Sequence, residues 1–504
     1  MRVSTAVSVV YLGVLALVGV HLRFYTILND FWGTLFLAEH LSLADPRSLH
    51  NGFFPIGYPA VVRMLLSEDI LIGAYVLSAA ASAATLGVVT RAMTHWTGSP
   101  LIAALTATLL ALHPLYFLYG ITTGPDAPTL MLSTGGIVML LRSCSQNRQR
   151  AFVLAGLLLG AAGLFRQHGF PFAIASLLGA ALAFPTRGRG LALAGAGVLG
   201  MLGVQIAANL AAGVGALESA QAFNIYKLFN PIDWFHLDRL RYPSNPLDVI
   251  RLAPDRFLEA WWSVLRPALW LGVPQVLAAV LAKGHSRRLA IALSVATYLY
   301  LPVQAVGGSP RGPLLVLPCS AIAVALAFEA IRHRLPPYAS PVRTAATAAV
   351  VALCAWSWVP ENFANVRTAR ATADLWDHIE RILRADGVQG PSQVFTDSFD
   401  FYFTSVRSSR IYDYRPRNTG GWAQIDLYGY ERIHPPLDTT SFGAFIESCR
   451  ARGVSHLVLL STAGLVVPEF GTIQAGGQLP PDLRHVADIP GVRIVALSDG
   501  RHRP

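Results

Sequence analysis

Eleven apolar segments, most of them close to the length of a membrane-spanning helix, run through the first 360 residues of this chain. A hydrocarbon core of about 30 Å is crossed by roughly 20 helical residues. The fourth, fifth and sixth segments are shorter, and we expect them to belong to a cluster in which a cavity or partner helices cover their ends. The sequence therefore predicts an α-helical polytopic membrane protein with about 11 transmembrane helices. The segments lie at about 4–22, 69–92, 99–119, 128–142, 151–165, 170–185, 190–213, 259–282, 289–305, 312–331 and 344–360.

The composition agrees with a membrane protein. Of the 504 residues, 53% are hydrophobic and only 13% are charged, whereas soluble chains are nearer one quarter charged. The net charge of +10 would suit nucleic-acid binding if the basic residues formed one stripe. They lie instead in small clusters between the apolar segments, which excludes nucleic acid as the expected partner.

The positions of these clusters predict the orientation of the chain. Cytoplasmic loops of membrane proteins carry an excess of Arg and Lys. In an eleven-span topology, five basic loops share one side, so we expect the amino terminus to be cytoplasmic and everything after about residue 361 to be outside. The basic residues in these loops are Arg91, Arg142, Arg148, Arg150, Arg187, Arg189, Lys283, Arg287, Arg288, Arg332, Arg334 and Arg343.

The predicted outer parts are two long loops and a carboxy-terminal domain. The loops are residues 23–68 and 214–258, and together with the spans they form a predicted transmembrane catalytic domain, residues 1–360. Residues 361–504 alternate between helical and short β-rich patterns, which indicates an extracytoplasmic α/β domain. Its predicted elements are helices at Leu375–Arg384 and Phe442–Arg452 and strands at Ser392–Phe395, Arg410–Tyr414, His456–Leu460 and Val492–Leu497.

Two acidic residues at the outer ends of spans are candidate catalytic groups. Asp30 follows the first span among apolar and aromatic residues, where a carboxylate with a raised pKa would suit a general base. Asp126 opens the fourth span in Asp-Ala-Pro, a pattern typical of a helix N-cap. An interfacial, solvated Asp30 and a purely capping Asp126 are the structural alternatives. If the two carboxylates converge, they could share a divalent cation such as Mg or Mn, or divide the roles of base and orienting group.

Basic and aromatic side chains on the same predicted side are candidate ligands of a lipid phosphate. Arg166 lies between the two short spans, Lys227 in the fourth outer loop, and Arg311 just before the tenth span. An Arg forks onto phosphate oxygens, although an Arg at a membrane edge often only snorkels to the headgroups. The remaining substrate-binding candidates in outer segments are His50, Tyr58 and His168.

The order of these features resembles the polyprenyl-phosphate-sugar-dependent glycosyltransferases of superfamily C (GT-C), in particular the bacterial aminoarabinose and protein O-mannosyl transferases. Four features carry the resemblance along the whole chain. They are Asp30 in a long first loop ending in Phe54-Pro-Ile-Gly-Tyr-Pro59, Asp126-Ala-Pro128 at the fourth span, Arg166 between short spans, and Arg311 through Pro318 before an outer α/β domain.

The resemblance implies a mechanism. The donor is a sugar on a polyprenyl phosphate, and the acceptor is a lipid, a glycan or a protein. Asp30 would deprotonate or orient the acceptor hydroxyl, whose oxygen attacks the anomeric carbon with inversion. Asp126 would be the second acidic residue, and Arg166, Lys227 and Arg311 would hold the lipid phosphate. Two positions depart from the family pattern: Asn29 precedes Asp30 where many members have paired acids, and Gly312 follows Arg311 where a Tyr is common.

Two other classes of function remain open on the sequence alone. A transporter or flippase of lipid-linked saccharides would need pore-lining polar residues inside many spans, and most of the predicted spans lack them. A membrane-anchored binding or assembly protein would explain the outer domain but not the acidic residues at span ends on one face. The four cysteines show no metal-ligand spacing, and we expect no intrachain disulfide.

Overall fold

The computed structural model describes most of the chain. The described residues are 2–24, 41–49, 55–65, 70–213, 275–307, 312–334, 340–390, 393–396, 410–411, 440–460 and 468–498, with a few isolated positions between these ranges. By its internal contacts the chain divides into two compact units, one that holds most residues up to Arg367 and one that holds most residues from Thr368 onward.

The first unit is helical. Its helices, numbered in chain order, are α1 (Arg2–His21), α2 (Gly57–Leu65), α3 (Ile70–Thr97), α4 (Pro100–Leu112), α5 (Pro114–Gly120), α6 (Asp126–Gln146), α7 (Gln149–Phe165), α8 (Gly169–Ala183), α9 (Gly188–Ala211), α10 (Gly284–Gly307), α11 (Leu317–Arg334) and the first part of α12 (Ser340–Ala385), whose residues from Thr368 onward belong to the second unit. Short 3₁₀ turns lie at Pro46–Leu49, Pro185–Arg187 and Gly312–Val316. Residues 275–281 are also helical.

Apolar helices within the described residues make the chain a multi-pass membrane protein. Five of them are long and apolar enough to cross a membrane, or six if the bent pair α4 and α5 forms one span. The described helices thus bear out a mostly helical membrane protein, while the total of eleven spans stays a prediction. The eighth predicted span, 259–282, falls largely outside the described residues.

Two predicted spans differ from the structure in instructive ways. The third, expected to be continuous over 99–119, bends by 72° between α4 and α5. The break is at His113, which precedes Pro114 and is extended at φ −60° and ψ 123°, because a residue before proline avoids the α region. The fourth, expected to be short, is the 21-residue α6, since its polar first turn and its Ser-rich last turn are helical as well.

Close helix packing in this unit uses small residues. Gly156 of α7 faces α9 so closely that a Cβ would lie 2.0 Å from the Ala194 carbonyl oxygen, and a Cβ on Gly160 would lie 2.7 Å from Met201 Cβ. Without a hydrophobic force between helices in lipid, such close backbone approach supplies van der Waals packing. The Gly-rich pattern of α7 therefore fixes the position of its carboxy-terminal end, where Arg166 follows.

The second unit contains α13 (Phe442–Ala451), α14 (Pro468–Gln474) and a five-stranded sheet. Its strands are β1 (Val394–Thr396), β2 (Arg410–Ile411), β3 (His456–Leu459), β4 (Leu483–Ile489) and β5 (Val492–Leu497). The order is β2-β1-β3-β5-β4, with β1 parallel to β2 and β3, and β5 antiparallel to β3 and β4. One core layer stacks Phe395, Phe445 and Phe470 edge to face, with ring centroids 5.1 and 5.0 Å apart.

The predicted strands and the predicted helices at 375–384 and 442–452 are found with shifted bounds, and two details of this region differ from the prediction. The predicted helix Leu375–Arg384 is not separate, because α12 runs without a break from Ser340 to Ala385. The strand β4 was missed, because its sequence Leu-Arg-His-Val-Ala-Asp-Ile carries polar residues that the edge of the sheet leaves exposed. All four cysteines carry free thiols.

Candidate functional site

The candidate site is built around the turn that precedes α6. Ser78 of α3 clamps this turn, since its hydroxyl donates to the Gly124 carbonyl at 3.2 Å and accepts from the Gly124 amide at 3.3 Å. The helix then begins at Asp126, with Pro125 in the N-cap position and no side-chain cap. The N-cap role predicted for Asp126 is therefore wrong: Asp126 is the first helical residue, and its carboxylate is used elsewhere.

Arg166 is the partner of Asp126. It ends α7 with an extended backbone, at φ −151° and ψ 128°, and its guanidinium Nη1 donates to Asp126 Oδ1 in an ion pair. The Asp126 side chain is 6% exposed and that of Arg166 is 17% exposed. At this burial the pair offsets a large desolvation cost, so removing either partner would leave a charge stranded.

The conformation around Arg166 follows from the loop between the two short spans. The Gly169 amide donates to the Arg166 carbonyl at 2.8 Å. A Cβ on Gly169 would lie 2.4 Å from the Ala162 carbonyl carbon. Only glycine therefore permits the tight reversal from α7 to α8 that turns the Arg166 side chain towards α6.

Tyr58 lies at the same end of the bundle. It is fully buried in the first turn of α2, with its ring 6.3 Å from that of Phe165. The hydroxyl lies near Ser78 and within electrostatic range of Asp126, but it makes no hydrogen bond of good geometry to a described residue.

Contacts with α7 and α9 hold Tyr58 in place. A Cβ on Gly57 would lie 2.7 Å from the Leu164 carbonyl oxygen, so α2 rests directly on the end of α7. The Ile56 amide donates to Gln205 Oε1 at 3.2 Å, and Gln205 Nε2 donates to Asn209 Oδ1 at 2.7 Å. The Pro- and aromatic-rich segment is thus tied to both helices next to the ion pair.

Tyr300 completes the described part of the site, and the sequence analysis missed it. It lies in α10, is 1% exposed, and interacts electrostatically with both Arg166 and Asp126. Its ring packs edge to face on Phe172 at 5.4 Å. The only signal in the sequence is a Tyr inside an apolar span that also contains Tyr298, and it does not distinguish a site residue from a core residue.

His168 is the remaining described candidate. It is 7% exposed and lies in the N-cap position of α8 without capping through its side chain. Its carbonyl accepts from the Phe172 amide at 3.3 Å. The structure thus brings His168 into the loop that carries Arg166.

Four candidates lie outside the described residues: Asp30, His50, Lys227 and Arg311. Their predicted convergence with Asp126 therefore stays a prediction. Among the residues that the structure describes, no group of three or more His, Cys, Asp or Glu side chains could hold a metal ion. Asp126 contributes one carboxylate whose charge is offset by Arg166, so a divalent cation at this site stays a prediction that depends on Asp30.

The arrangement suits recognition of an anion in a low-dielectric site. A guanidinium has five N–H donors in a fixed fork, and one carboxylate oxygen uses only part of them. Asp126 fixes the orientation of the Arg166 side chain, and the Tyr58 and Tyr300 hydroxyls lie within electrostatic range of the pair. Such a site can bind phosphate oxygens at the end of a helix bundle.

Comparison with known proteins points in one direction. Residues 58–210 match the protein family described as dolichyl-phosphate-mannose-protein mannosyltransferase, and this range includes Tyr58, Asp126, Arg166 and His168. No curated protein matches the chain.

The fold is similar to that of ArnT from Cupriavidus metallidurans. In its apo state, that protein is 16% identical, with a TM-score of 0.54 and 98% coverage of each chain. Bound to undecaprenyl phosphate, it is again 16% identical, with a TM-score of 0.50 and coverage of 98% of this chain and 99% of that one. The predicted resemblance to the aminoarabinose and protein O-mannosyl transferases of superfamily C is confirmed.

Proposed function

We propose that this chain, which has the fold of the superfamily C glycosyltransferases, is an integral-membrane enzyme that transfers a sugar from a polyprenyl-phosphate donor to an acceptor. The observation that carries the proposal is the buried Arg166–Asp126 pair beside Tyr58, inside the range that matches the mannosyltransferase family. The structure of ArnT bound to undecaprenyl phosphate supports a lipid phosphate as the carrier of the sugar.

The proposed reaction follows from the charges at the site. Arg166 binds the phosphate of the donor and stabilises the negative charge that develops as the bond between the anomeric carbon and the phosphate oxygen breaks. The acceptor oxygen forms the new bond to the anomeric carbon, and its proton passes to a carboxylate, for which Asp30 is the candidate base. Asp126 orients Arg166, while Lys227 and Arg311 are further candidates for holding the phosphate.

The proposed location is the outer face of a bacterial plasma membrane, with a lipid, a glycan or a protein as acceptor. Support comes from the basic loops, which meet at the end of the bundle away from Asp126. Arg187 Nε donates to the Cys144 carbonyl at 2.8 Å, the Ser145 hydroxyl lies 3.3 Å from His285 Nε2, and Arg332 Nη1 donates to Ser99 Oγ at 3.4 Å. If that end is cytoplasmic, the Arg166–Asp126 pair faces outward.

The test is sugar transfer by the purified full chain in liposomes, supplied with labelled polyprenyl-phosphate sugars and a cell-envelope acceptor extract. Asp30→Asn keeps the size of the side chain but removes the base, so the rate should fall on the order of a hundredfold or more. Asp45→Asn, in the same loop, is the matched control and should retain the rate. Movement of intact donor across the membrane without a glycosylated product would refute the transferase and support the flippase.

A further inference from the structure

A cavity lies at the end of the helix bundle opposite the Arg166–Asp126 pair. It has a volume of about 340 Å³ and is lined by the ends of α3 and α11, the start of α10 and the segment before it. Ser78, at the first site, and Thr97, at the cavity, lie on the same helix, and a rise of about 1.5 Å per residue separates them by roughly 28 Å. That distance is close to the thickness of a hydrocarbon core.

Two cations line the cavity without a carboxylate partner among the described residues. Lys283 is exposed into solvent. Arg334 is held in place because its Nη2 donates to the Leu281 carbonyl at 3.0 Å, which leaves other N–H groups of the guanidinium for a ligand. The one carboxylate in the lining, Glu329, has its charge offset by Arg332 at 3.4 Å. The cavity therefore carries an excess of positive charge.

The rest of the lining suits a lipid rather than a soluble anion. Trp96 lies at the end of a candidate span, where amphipathic rings sit at headgroup depth, and Ser286 adds a hydroxyl. Leu281 and Leu326 supply an apolar wall between the helix ends, along which the first carbons of an acyl chain can lie. A free phosphate would make no use of this wall.

We propose that this cavity binds the headgroup of an anionic phospholipid, with Lys283 and Arg334 on its phosphate. The site is separate from the proposed donor site and does not depend on the transferase activity. Arg and Lys at a membrane surface each contribute to attraction of anionic lipid, and the fork of an Arg suits phosphate oxygens. The bound lipid would lie between α3, α10 and α11.

The experiment is native mass spectrometry of the delipidated full chain with phosphatidylglycerol, phosphatidylcholine or inorganic phosphate added. The wild type should retain phosphatidylglycerol at least about tenfold more tightly than phosphatidylcholine, and Lys283→Gln/Arg334→Gln should lose most of that preference. Arg287→Gln/Arg288→Gln removes two exposed charges next to the cavity but outside its lining, and should retain the preference.

Folding of each variant is checked by its thermal unfolding in detergent. As a second measurement, brominated-chain phosphatidylglycerol should quench the tryptophan fluorescence of the wild type more than that of Trp96→Phe. Equal loss of the preference in both double variants would overturn the proposal, because it would show a general surface charge effect. Displacement of phosphatidylglycerol by millimolar inorganic phosphate would also overturn it, in favour of a soluble phosphate ligand.

Discussion

The Arg166–Asp126 ion pair holds two opposite charges in a largely buried position. Because the Asp126 side chain is only 6% exposed, its ionised form depends on the guanidinium and on the polar groups around it. A buried pair of this kind is weak evidence for stability as such, since apolar residues of similar volume are often as good. We therefore attribute the pair to the proposed binding of the donor phosphate.

The stability of the pair can be measured with a double-mutant cycle. Arg166→Gln should lower the free energy of unfolding by about 3 kcal/mol, because it leaves the Asp126 carboxylate buried without a counter-charge. Asp126→Asn/Arg166→Gln should recover a large part of this loss, since no charge then remains stranded. Thermal unfolding of the four proteins in one detergent gives the coupling, and strictly additive losses would contradict the pairing.

Tyr58 could be identified as a candidate site residue from the sequence, whereas Tyr300 could not. Asp126, Arg166 and Tyr58 could be predicted from the sequence because each follows a recognisable break between apolar segments. Tyr300 could not, because a position inside a clean span gives no information about which face of the helix it occupies or which distant helix it meets. Its relation to Arg166 arises only from the packing of α10 on α8, where Tyr300 meets Phe172.

At the scale of the secondary-structure elements, the contact between α7 and α9 determines where Arg166 lies. The Gly156 backbone packs on the Ala194 carbonyl, and the end of α7 supports both Arg166 and the segment of Gly57 and Tyr58. Closely packed backbones cannot yield to an added methyl group as the far end of a flexible side chain can.

Gly156→Ala should therefore lower the free energy of unfolding by about 1–3 kcal/mol, because its Cβ would clash with the Ala194 backbone. Gly195→Ala, on α9 with open space around the added Cβ, is the matched control and should be neutral or stabilising by up to about 1 kcal/mol through helix propensity. Thermal unfolding in detergent distinguishes them. Equal effects of the two substitutions would show that α7 and α9 do not pack as described.

In the second unit, Asp386 directly follows α12, and its side chain contacts the sheet. Its carboxylate accepts from Arg484 and from His456 Nε2, the latter at 2.8 Å. The hydrogen bond from Arg484 is the main cause that lowers the pKa of Asp386 below its usual value of 3.8. The ionised form is thus favoured in the folded state, and the resulting stability is present above about pH 3.8 and is lost as the pH falls through the folded pKa.

Hydrogen exchange of the full chain tests this dependence. The protection of the β3 amides, corrected for intrinsic exchange, should hold from pH 6 down to about pH 4 and then fall. Arg484→Gln should reduce the protection at pH 6 and flatten the fall, because it removes the largest cause of the lowered pKa. The reduction in protection should be modest, since the Arg484 side chain is 55% exposed and its charge is screened by solvent. Arg381→Gln, an exposed change on α12, is the control; if it behaved like Arg484→Gln, the assignment to Asp386 would fail.

At the scale of the whole molecule, a helical membrane part and an α/β region could be predicted from apolar length and from alternating patterns. The junction between them could not. The predicted boundary at residue 360 lies within α12, which continues to Ala385. Hydropathy falls where the chain leaves the apolar segment, but helical hydrogen bonding continues into polar residues such as those of the Arg370–Asp374 pair. Composition therefore reports the environment of a segment and not the end of its helix.

The two ends of the bundle differ in the same way in sequence and in structure. The ion pair lies at one end with Tyr58 and Tyr300. The basic loops lie at the other end with the cavity lined by Lys283 and Arg334. A donor lipid phosphate is proposed for the first end and a resident phospholipid for the second. The proposed transfer depends on binding of the donor's lipid phosphate at the first end.

Photo-crosslinking tests the position of this phosphate most directly. The probe is a polyprenyl phosphate that carries a diazirine next to its phosphate, and the labelled sites are mapped to peptides of the full chain in liposomes. We expect labelled peptides around Tyr58, Asp126 and Arg166, with labelling reduced by Arg166→Gln and unchanged by Arg189→Gln at the other end. Labelling confined to the peptides of Trp96 and Lys283, or unaffected by Arg166→Gln, would contradict it.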